Sequence, residues 1–280
     1  MKLSEMRQIL ESGGLRLTRS LGQNFLHDTN QLRRIVLAAE LSRADQVLEV
    51  GPGLGPLTEL LLAEAGGVLA IEKDRRLVEV LQQRWPEERR FTLVHADALE
   101  FIRHERRDWA AWKLVANLPY SVASPILVEL AGADPGPERM VVTLQLEVAR
   151  RLRAQAGGPD YGVLSLLVQL HYEPRDWFRI PAGCFFPSPK VDSACVTLIR
   201  RAPPLLGRGE AEVFSRVVKC GFAQRRKMMF RLLKPEWEES RLQRAFEQSG
   251  VPFDTRAEAV SLAQFVELTR HLSAGENLPP

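Results

Sequence analysis

Val-Leu-Glu-Val-Gly-Pro-Gly-Leu-Gly, residues 47–55, joins a short apolar run to a glycine-rich turn. The run 47–50 is typical of a buried strand, and a helical pattern begins near residue 56. Glycines at this place let the backbone pass close to a bound ligand, because no Cβ stands in the way. A glycine signal of this kind is weak when taken alone. The usual dinucleotide fingerprint has its third glycine one residue later than Gly55, and no Lys-Ser or Lys-Thr follows, which excludes a phosphate-binding P-loop.

Outward from this stretch, apolar runs of β type alternate with helical patterns as far as about residue 145. Besides 47–50, strands are predicted at 68–71, 91–94, 114–116 and 140–144. Helices are predicted near 56–65, 75–84, 98–104, 124–131, 147–155 and 164–171, before two closing strands at 176–180 and 194–199. This alternation predicts an α/β fold with a mostly parallel sheet and right-handed crossovers.

The segment Ala202-Pro203-Pro204 predicts a domain boundary, because two prolines in succession interrupt regular structure. Beyond it only helical patterns occur, near 209–220, 225–233, 238–248 and 261–272. The tail 277–280 is expected to fray. The sequence therefore predicts an α/β domain over 1–202 and a small all-helical domain over 203–280.

The composition is that of an ordinary globular chain. Of the 280 residues 45% are hydrophobic and 26% are charged, and the formal net charge is +3. No apolar run approaches the roughly 20 residues that span a bilayer, and the N-terminus lacks the apolar centre of a signal peptide. Cys184, Cys195 and Cys220 form no CxxC pair, so neither a disulfide framework nor structural zinc is expected. We expect a cytoplasmic protein without a metal or a membrane segment.

Acidic residues end two of the predicted strands. Glu72 ends the second strand, where a carboxylate suits the two hydroxyls of a ribose. Asp97 follows the third strand, within reach of an adenine amine at the same sheet edge. Each residue has a plainer interpretation, a solvated strand end for Glu72 and a helix N-cap for Asp97. With the glycine turn at the same edge, the three strands together predict an adenosine-containing cofactor.

Asn117-Leu118-Pro119-Tyr120 follows the fourth strand and suits a planar base with an exocyclic amine. The side-chain oxygen of Asn117 and the carbonyl of Leu118 can each accept one N–H. Pro119 restricts the backbone, and Tyr120 offers a face for stacking. The plainer interpretation is a strand that ends in an ordinary turn. Together with the glycine spacing, this tetrapeptide favours S-adenosyl-L-methionine over NAD as the cofactor.

A basic stretch lies in the predicted helical domain. Between Arg216 and Lys234 there are seven basic residues and no acidic one, a pattern typical of a phosphate-binding face. A helix over 225–233 would place Met228 to Phe230 on an apolar face and the basic residues opposite, although a solvated helix face is the common alternative. The candidate RNA-binding residues are Arg225, Arg226, Lys227 and Arg231, with Arg16, Arg19, Arg150, Arg151 and Arg153 as further members of a groove.

Five stretches of the chain resemble the motifs of one family, the rRNA adenine-N6 dimethyltransferases, and in particular its bacterial small-subunit members. The stretches are 20–28, 47–58, 115–120, 185–194 and 222–227, in the order in which the family has them. Two departures occur. Residues 225–231 read Arg-Arg-Lys-Met-Met-Phe-Arg where Arg-Arg-Lys-Thr-Leu-Arg is common, which leaves the details of RNA contact open. Ser188 replaces a common proline.

The resemblance implies a class I S-adenosylmethionine-dependent methyltransferase fold, Rossmann-like, with a helical C-terminal domain that binds RNA or the ribosome. It implies cofactor contacts at Asn24, Leu26, Gly51, Glu72, Asp97 and Asn117, to which we add Gly53 of the glycine turn. The implied products are N6,N6-dimethyladenosine, at two adjacent adenosines near the 3′ end of 16S rRNA in the small ribosomal subunit, and S-adenosyl-L-homocysteine. A role in small-subunit biogenesis goes with it.

The residues suggest how such a reaction would proceed. The adenine N6 lone pair is delocalised, and acceptors at Asn117 and Leu118 would draw the nitrogen toward tetrahedral geometry. Tyr120 on one face, and Phe185 or Phe186 on the other, would clamp a base flipped from its stack. Core packing is the alternative for both phenylalanines, and we expect one to be buried and one to lie in the pocket. The candidate catalytic residues are thus Asn117, Leu118, Pro119, Tyr120, Phe185 and Phe186.

Three alternatives remain at this point. A large-subunit rRNA methyltransferase of the macrolide-resistance type uses the same chemistry, but such chains tend to be shorter and to differ over 203–280. DNA adenine or protein glutamine is a further class of acceptor, since an Asn-Pro-Tyr type of turn serves there too. A binding or assembly factor with secondary catalysis is the third. Nothing in the sequence demands more than a monomer.

Overall fold

The computed structural model describes residues 1, 3–12, 23–105 and 107–274. Several sequence predictions lie outside these residues. They are the start of the first family motif at 20–22, the groove residues Arg16 and Arg19, and the tail 277–280.

The strands form one large sheet and one small one. The strands are β1 (Phe25–Leu26), β2 (Gln46–Val50), β3 (Gly67–Glu72), β4 (Phe91–His95), β5 (Trp112–Asn117), β6 (Arg139–Gln145), β7 (Tyr172–Ile180), β8 (Phe185–Phe186) and β9 (Ser193–Arg200). Seven of them form a sheet of order β4-β3-β2-β5-β6-β9-β7. Strands β2 to β6 pair in parallel, and β9 is antiparallel to β6. The predicted mostly parallel sheet is confirmed.

Helices connect and flank these strands. They are α1 (Leu3–Ser12), α2 (Thr29–Ala38), α3 (Pro56–Glu64), α4 (Arg75–Arg84), α5 (Ala98–His104), α6 (Ala123–Gly132), α7 (Leu146–Arg153), α8 (Val163–Gln169), α9 (Arg208–Gly221), α10 (Met229–Leu233), α11 (Glu239–Ser249) and α12 (Leu262–Ser273). Local sequence explains where several begin. Asp74 and Asp97 cap α4 and α5 by accepting backbone N–H groups, and Pro56 occupies the first turn of α3, where no N–H is needed.

The strand order reverses next to β2. The chain runs from β2 outward through β3 to β4, and then returns to place β5 on the other side of β2. In open α/β sheets, ligands bind in the crevice at such a switch point, beyond the carboxyl ends of the strands. The sheet therefore places the ends of β2, β3, β4 and β5 where a ligand site is expected.

The described residues form two compact units, Met1–Ala149 with Pro174–Arg200 and Arg150–Glu173 with Arg201–Pro280. The predicted boundary after residue 202 differs from this division, because 150–173 belongs with the C-terminal helices. Its side chains share the core of the second unit, where Tyr161 packs with the cluster that includes Phe214 and Phe265. The Tyr161 hydroxyl also donates to the carbonyl of Val260 at 2.9 Å.

The predicted helix over 225–233 is shorter in the structure. Helix α10 begins only at Met229, and the basic residues before it lie in a turn. The reason is a tertiary hydrogen bond: the N–H of Met229 donates to the carbonyl of Thr255 at 2.9 Å instead of to a carbonyl one helical turn earlier. Arg225, Arg226 and Lys227 are exposed in what we call the basic turn.

No helix in the described part of the chain is both long and apolar enough to cross a bilayer. The longest, α9, has 14 residues, shorter than the roughly 20 that a spanning helix needs.

Candidate active site

A cavity opens at the carboxyl edge of the sheet, where the switch point predicts a ligand site. Its lining comes from five segments, which lie within 23–32, 49–57, 71–77, 96–98 and 117–122. The sheet therefore brings together every predicted cofactor residue and the whole 117–120 turn. They are Asn24, Leu26, Gly51, Gly53, Glu72, Asp97, Asn117, Leu118, Pro119 and Tyr120.

The glycine turn is built from positive φ angles. Gly51 has φ +67° and Gly53 has φ +63°, a region that L residues with a side chain rarely adopt. A Cβ on Gly53 would lie 2.7 Å from the ring of Phe25, and one on Gly51 would lie 3.2 Å from Pro119. Glycine is needed here both for the backbone conformation and for the close approach of neighbouring groups.

Glu72, the last residue of β3, is hydrogen-bonded to the glycine turn. Its carboxylate accepts the N–H of Gly53 at 3.2 Å and the N–H groups of Lys73 and Asp74 at 2.9 Å each. The side chain is buried, and this burial raises the pKa of Glu72. Glu72 is thus not the solvated strand end of the plainer interpretation.

Asp97 is the N-cap of α5, as the plainer interpretation predicted, and it also lines the cavity. One oxygen accepts the N–H groups of Leu99 at 2.9 Å and Glu100 at 3.3 Å and so caps α5. The other oxygen lies 2.8 Å from the ammonium of Lys73, and this hydrogen bond lowers the pKa of Asp97. The same carboxylate also lines the cavity.

Glu49 lines the cavity too, although its place in the apolar run 47–50 predicts only a strand residue. It is 1% exposed, and its carboxyl group accepts the hydroxyl of Thr58 at 2.7 Å. Burial raises the pKa of Glu49 to about 8, so the carboxyl is mostly protonated at neutral pH. The available signal was one acidic residue inside the apolar run 47–50, directly before the glycine turn.

Asn117 ends β5 with a fixed amide orientation. Its side-chain nitrogen donates to the backbone carbonyl of Asn24 at 3.0 Å. Its side-chain oxygen is buried and has no hydrogen-bond partner among the described residues. A buried acceptor without a donor costs about 1–3 kcal/mol, so this oxygen is poised for a donor that a ligand brings.

Tyr120 is anchored by its hydroxyl. The phenol oxygen lies 2.6 Å from the hydroxyl of Ser193, the first residue of β9. Burial raises the pKa of Tyr120, so the ring is a neutral wall of the cavity at physiological pH. Within the same turn, the N–H of Leu118 donates to the carbonyl of Thr143 at 3.0 Å.

Neither Phe185 nor Phe186 lines this cavity, which differs from the expected clamp. Both belong to β8, which pairs with β1 so that Phe25 lies opposite Phe186 and Leu26 opposite Phe185. Phe185 is 2% exposed in the apolar core beside α2 and α3. The guanidinium of Arg7 lies over the ring of Phe186, 5.2 Å from the ring centre. It is Phe25 on the partner strand that reaches the cavity.

Cys195 lies in β9, within the apolar core of the first unit. Burial raises the pKa of the Cys195 thiol to about 12, which disfavours a thiolate nucleophile. Among these residues no group of three or more histidine, cysteine or acidic side chains could hold a metal ion.

Comparison with known proteins identifies the family of this chain. The family model "Ribosomal RNA adenine dimethylase" matches residues 14–273. The chain belongs to the ribosomal RNA adenine dimethylase family. A relative named ribosomal RNA small subunit methyltransferase A, from Latilactobacillus sakei, is 38% identical over 273 residues, or 94% of this chain and 92% of the relative. A relative of the same name from Geobacter metallireducens is 37% identical over 270 residues, 93% of this chain and 97% of the relative.

Two solved structures resemble the dimethylase chain. The 23S rRNA methyltransferase ErmE superposes with a TM-score of 0.68 and 30% identity, and the match covers 89% of this chain and all of ErmE. A dimethyladenosine transferase from Plasmodium falciparum superposes with a TM-score of 0.72 and 24% identity, covering 87% of this chain and 95% of the other, and supports the fold alone. The predicted family and the class I methyltransferase fold are confirmed.

Proposed function

We propose that this chain transfers methyl groups from S-adenosyl-L-methionine to N6 of two adjacent adenosines near the 3′ end of 16S rRNA. The products are N6,N6-dimethyladenosine and S-adenosyl-L-homocysteine. The observation that carries the proposal is the buried side-chain oxygen of Asn117, an unsatisfied acceptor at the strand end beside the glycine turn. The choice of the small subunit is supported by the relatives named above, whose names specify that subunit.

The cavity fits this cofactor in shape and in charge. The glycine turn leaves room for a ligand close to the backbone, and the carboxylate of Glu72 at the end of β3 suits ribose hydroxyls. Asp97, Asn24 and Leu26 also line the cavity, and Asp97 would accept the adenine amine. When bound, S-adenosyl-L-methionine supplies an activated methyl group on a positively charged sulfonium. Of the acidic groups in the lining, Glu72 has no basic side chain among its hydrogen-bond partners in the described residues, and its carboxylate would favour such a cation.

Asn117 and Leu118 would activate the acceptor amine. The side-chain nitrogen of Asn117 donates to Asn24, so the side-chain oxygen, which has no donor among the described residues, is the group left to accept an N–H from a ligand. That oxygen and the carbonyl of Leu118 would each accept one N6 hydrogen. The two acceptors draw the nitrogen toward tetrahedral geometry and stabilise the positive charge that develops on it. Correct alignment of the amine with the donor carbon lowers the barrier further.

Tyr120 would hold the target base after it leaves its stack. Its ring forms part of the cavity wall, beside Asn117 and Leu118. Stacking of a base on an aromatic ring contributes roughly 1–3 kcal/mol. Phe185 and Phe186 would then act through β1 and β8, by supporting Phe25 and the wall of the cavity, and not by stacking on the base.

The basic turn would bind RNA phosphates in the second unit. Arg225, Arg226 and Lys227 are exposed there, and Arg231 is exposed on α10. Structured RNA is recognised largely by its shape and its phosphates, which matches a cluster of exposed cations. We further propose that the protein works as a cytoplasmic monomer, without a metal, and contributes to small-subunit biogenesis.

The proposal is tested by incubating the protein with labelled S-adenosyl-L-methionine and one of four acceptors: immature small subunits, large subunits, naked rRNA or duplex DNA. Modified bases are then mapped. We expect label on two adjacent adenosines of small-subunit rRNA. Label only on large-subunit RNA or on DNA would overturn the proposal. Retained subunit binding without turnover would favour the assembly-factor alternative.

A further inference from the structure

We propose that Ser193 is a positioning residue of this site, which holds the Tyr120 ring in the orientation that the target base stacks on. Its hydroxyl lies 2.6 Å from that of Tyr120, and Ser193 itself is fully buried. The inference rests on the proposed function, because the orientation of Tyr120 matters to the reaction only if a base enters the cavity.

Ser193 is held by regular structure. It is the first residue of β9 and pairs with Gln145 of β6 in the antiparallel ladder. The carbonyl of the preceding Asp192 accepts the N–H of Leu146 at 3.0 Å. The carboxylate of Asp192 accepts the N–H of Ala182 at 2.9 Å and also pairs with Arg179. The backbone of Ser193 is therefore held firmly in the sheet, and its hydroxyl has a defined position.

Tyr120 lies in a turn whose backbone is held on both sides. The N–H of Leu118 donates to Thr143, and the N–H of Val122 donates to Pro119 at 3.1 Å. The remaining freedom of Tyr120 is the rotation of its side chain. Ordering a side chain only when a ligand binds costs affinity, and a ring that is already held avoids this cost. The bond to Ser193 supplies that preorganisation from a neighbouring strand.

A plainer role for this bond is to satisfy the hydroxyl of the buried Ser193 and that of the half-buried Tyr120, and so to stabilise the fold. The two roles differ in what they change. If the bond is purely structural, its removal lowers the melting temperature and does not change the stacking of the bound base. If the bond positions the ring, its removal weakens base stacking and slows turnover. This effect requires the Tyr120 hydroxyl.

The test compares Ser193→Ala, Tyr120→Phe and the double variant on immature small subunits. We expect kcat to fall about threefold to tenfold in each single variant, the size of one neutral hydrogen bond. The double variant should be no slower than either single one, because both remove the same bond. Affinity for S-adenosyl-L-methionine, measured by calorimetry, should stay within about twofold.

Ser188→Ala is the matched control, since its hydroxyl is exposed and donates to the carbonyl of Ala182 in the same loop at 3.0 Å.

A spectroscopic measurement reports the ring directly. An RNA that carries 2-aminopurine at a target adenosine loses fluorescence when the base stacks, and we expect less quenching with Ser193→Ala and Tyr120→Phe than with wild type. The inference is overturned if kcat and quenching are unchanged in Ser193→Ala, or if the effects of the two single variants multiply. If Ser193→Ala does not fold, Tyr120→Phe removes the same bond, and unchanged quenching there overturns the inference equally. Wild-type turnover in the same assay tests the proposed function separately, and its absence refutes both.

Discussion

The cavity at the sheet edge and the basic turn present their polar groups in opposite ways. In the cavity, Glu72 and Asn117 are tied to backbone groups, so each atom has a defined direction. In the basic turn, Arg225, Arg226 and Lys227 are exposed on a short connection before α10. The first arrangement suits chemistry, which depends on atomic position, and the second suits phosphate binding, which depends on charge. Changes in the two regions should therefore affect different measured quantities.

The largest effect is expected at Asn117. Asn117→Ala removes the buried acceptor, and turnover should fall by about 100-fold or more, as for the loss of a preorganised electrostatic group. Cofactor affinity, measured by calorimetry, should stay within a few fold. Asn30→Ala on the exposed surface of α2 is the matched control and should retain wild-type turnover. An unchanged rate in Asn117→Ala would remove this residue from the mechanism.

Neutralising the basic turn should act on binding and leave the chemistry intact. In a triple change of Arg225, Arg226 and Lys227 to glutamine, RNA affinity should fall on the order of tenfold to a hundredfold at low salt. The slope of log affinity against log salt should decrease by roughly two, because three phosphate contacts are lost. Turnover at saturating RNA should change little. Arg89→Gln, an exposed cation of the first unit, serves as a control. A salt slope equal to that of wild type would show that the basic turn does not contact phosphate.

Gly53→Ala should weaken cofactor binding by about tenfold and destabilise the fold by roughly 1–3 kcal/mol. The added Cβ meets Phe25 at 2.7 Å, at a backbone φ of +63°. Gly157→Ala is the control for a strained backbone away from the cavity, since Gly157 has φ +80°, nothing within 4 Å of its Cβ, and no part in the cavity lining. We expect the control to lower the melting temperature without changing cofactor affinity. Equal binding losses in both variants would mean that general destabilisation, and not the change beside Phe25 in the cavity, is responsible.

The smallest effect on methyl transfer is expected at Glu49. The predicted change there is in the pH dependence of the free energy of unfolding. The Glu49 pKa of about 8 in the folded protein lies above the ordinary value of 4.5 for a glutamate, so the folded protein holds a proton that the unfolded chain releases. Stability from this group should therefore decrease as pH rises from about 4.5 to about 8, by up to about 1.4 kcal/mol per pH unit. Glu49→Gln stays neutral, so its free energy of unfolding should depend less on pH. Denaturant unfolding at pH 5.5, 7 and 8 measures this, and parallel curves for the two proteins would contradict it.

The predictable parts of the fold are those that local pattern specifies. The five parallel strands were evident because each is a short apolar run, and their parallel order brings the strand ends to one edge. That order is why Gly51, Glu72, Asp97 and Asn117 meet although long stretches of chain separate them.

Tertiary contacts explain what the sequence did not reveal. The two-residue strands β1 and β8 join segments about 160 residues apart, and no periodicity marks so short a pair, so the placement of Phe185 and Phe186 was not predictable. The sequence of the basic turn has the same helical pattern as α10. The structure nevertheless begins the helix only at Met229, whose N–H donates to the carbonyl of Thr255. Segment 150–173 reads as part of the first domain until its apolar side chains are seen in the core of the second unit.

Asp97 both caps α5 and lines the cavity, and this constrains any redesign of the cavity. An engineer who wants the cavity to accept a different nucleobase would change this carboxylate first, because it is the group proposed to accept the adenine amine. The same change removes the N-terminal cap of α5 and the partner of Lys73, so selectivity and local stability would be altered in one step. Asp97→Asn or Asp97→Ser, which keep a capping oxygen, are therefore sounder starting points than alanine.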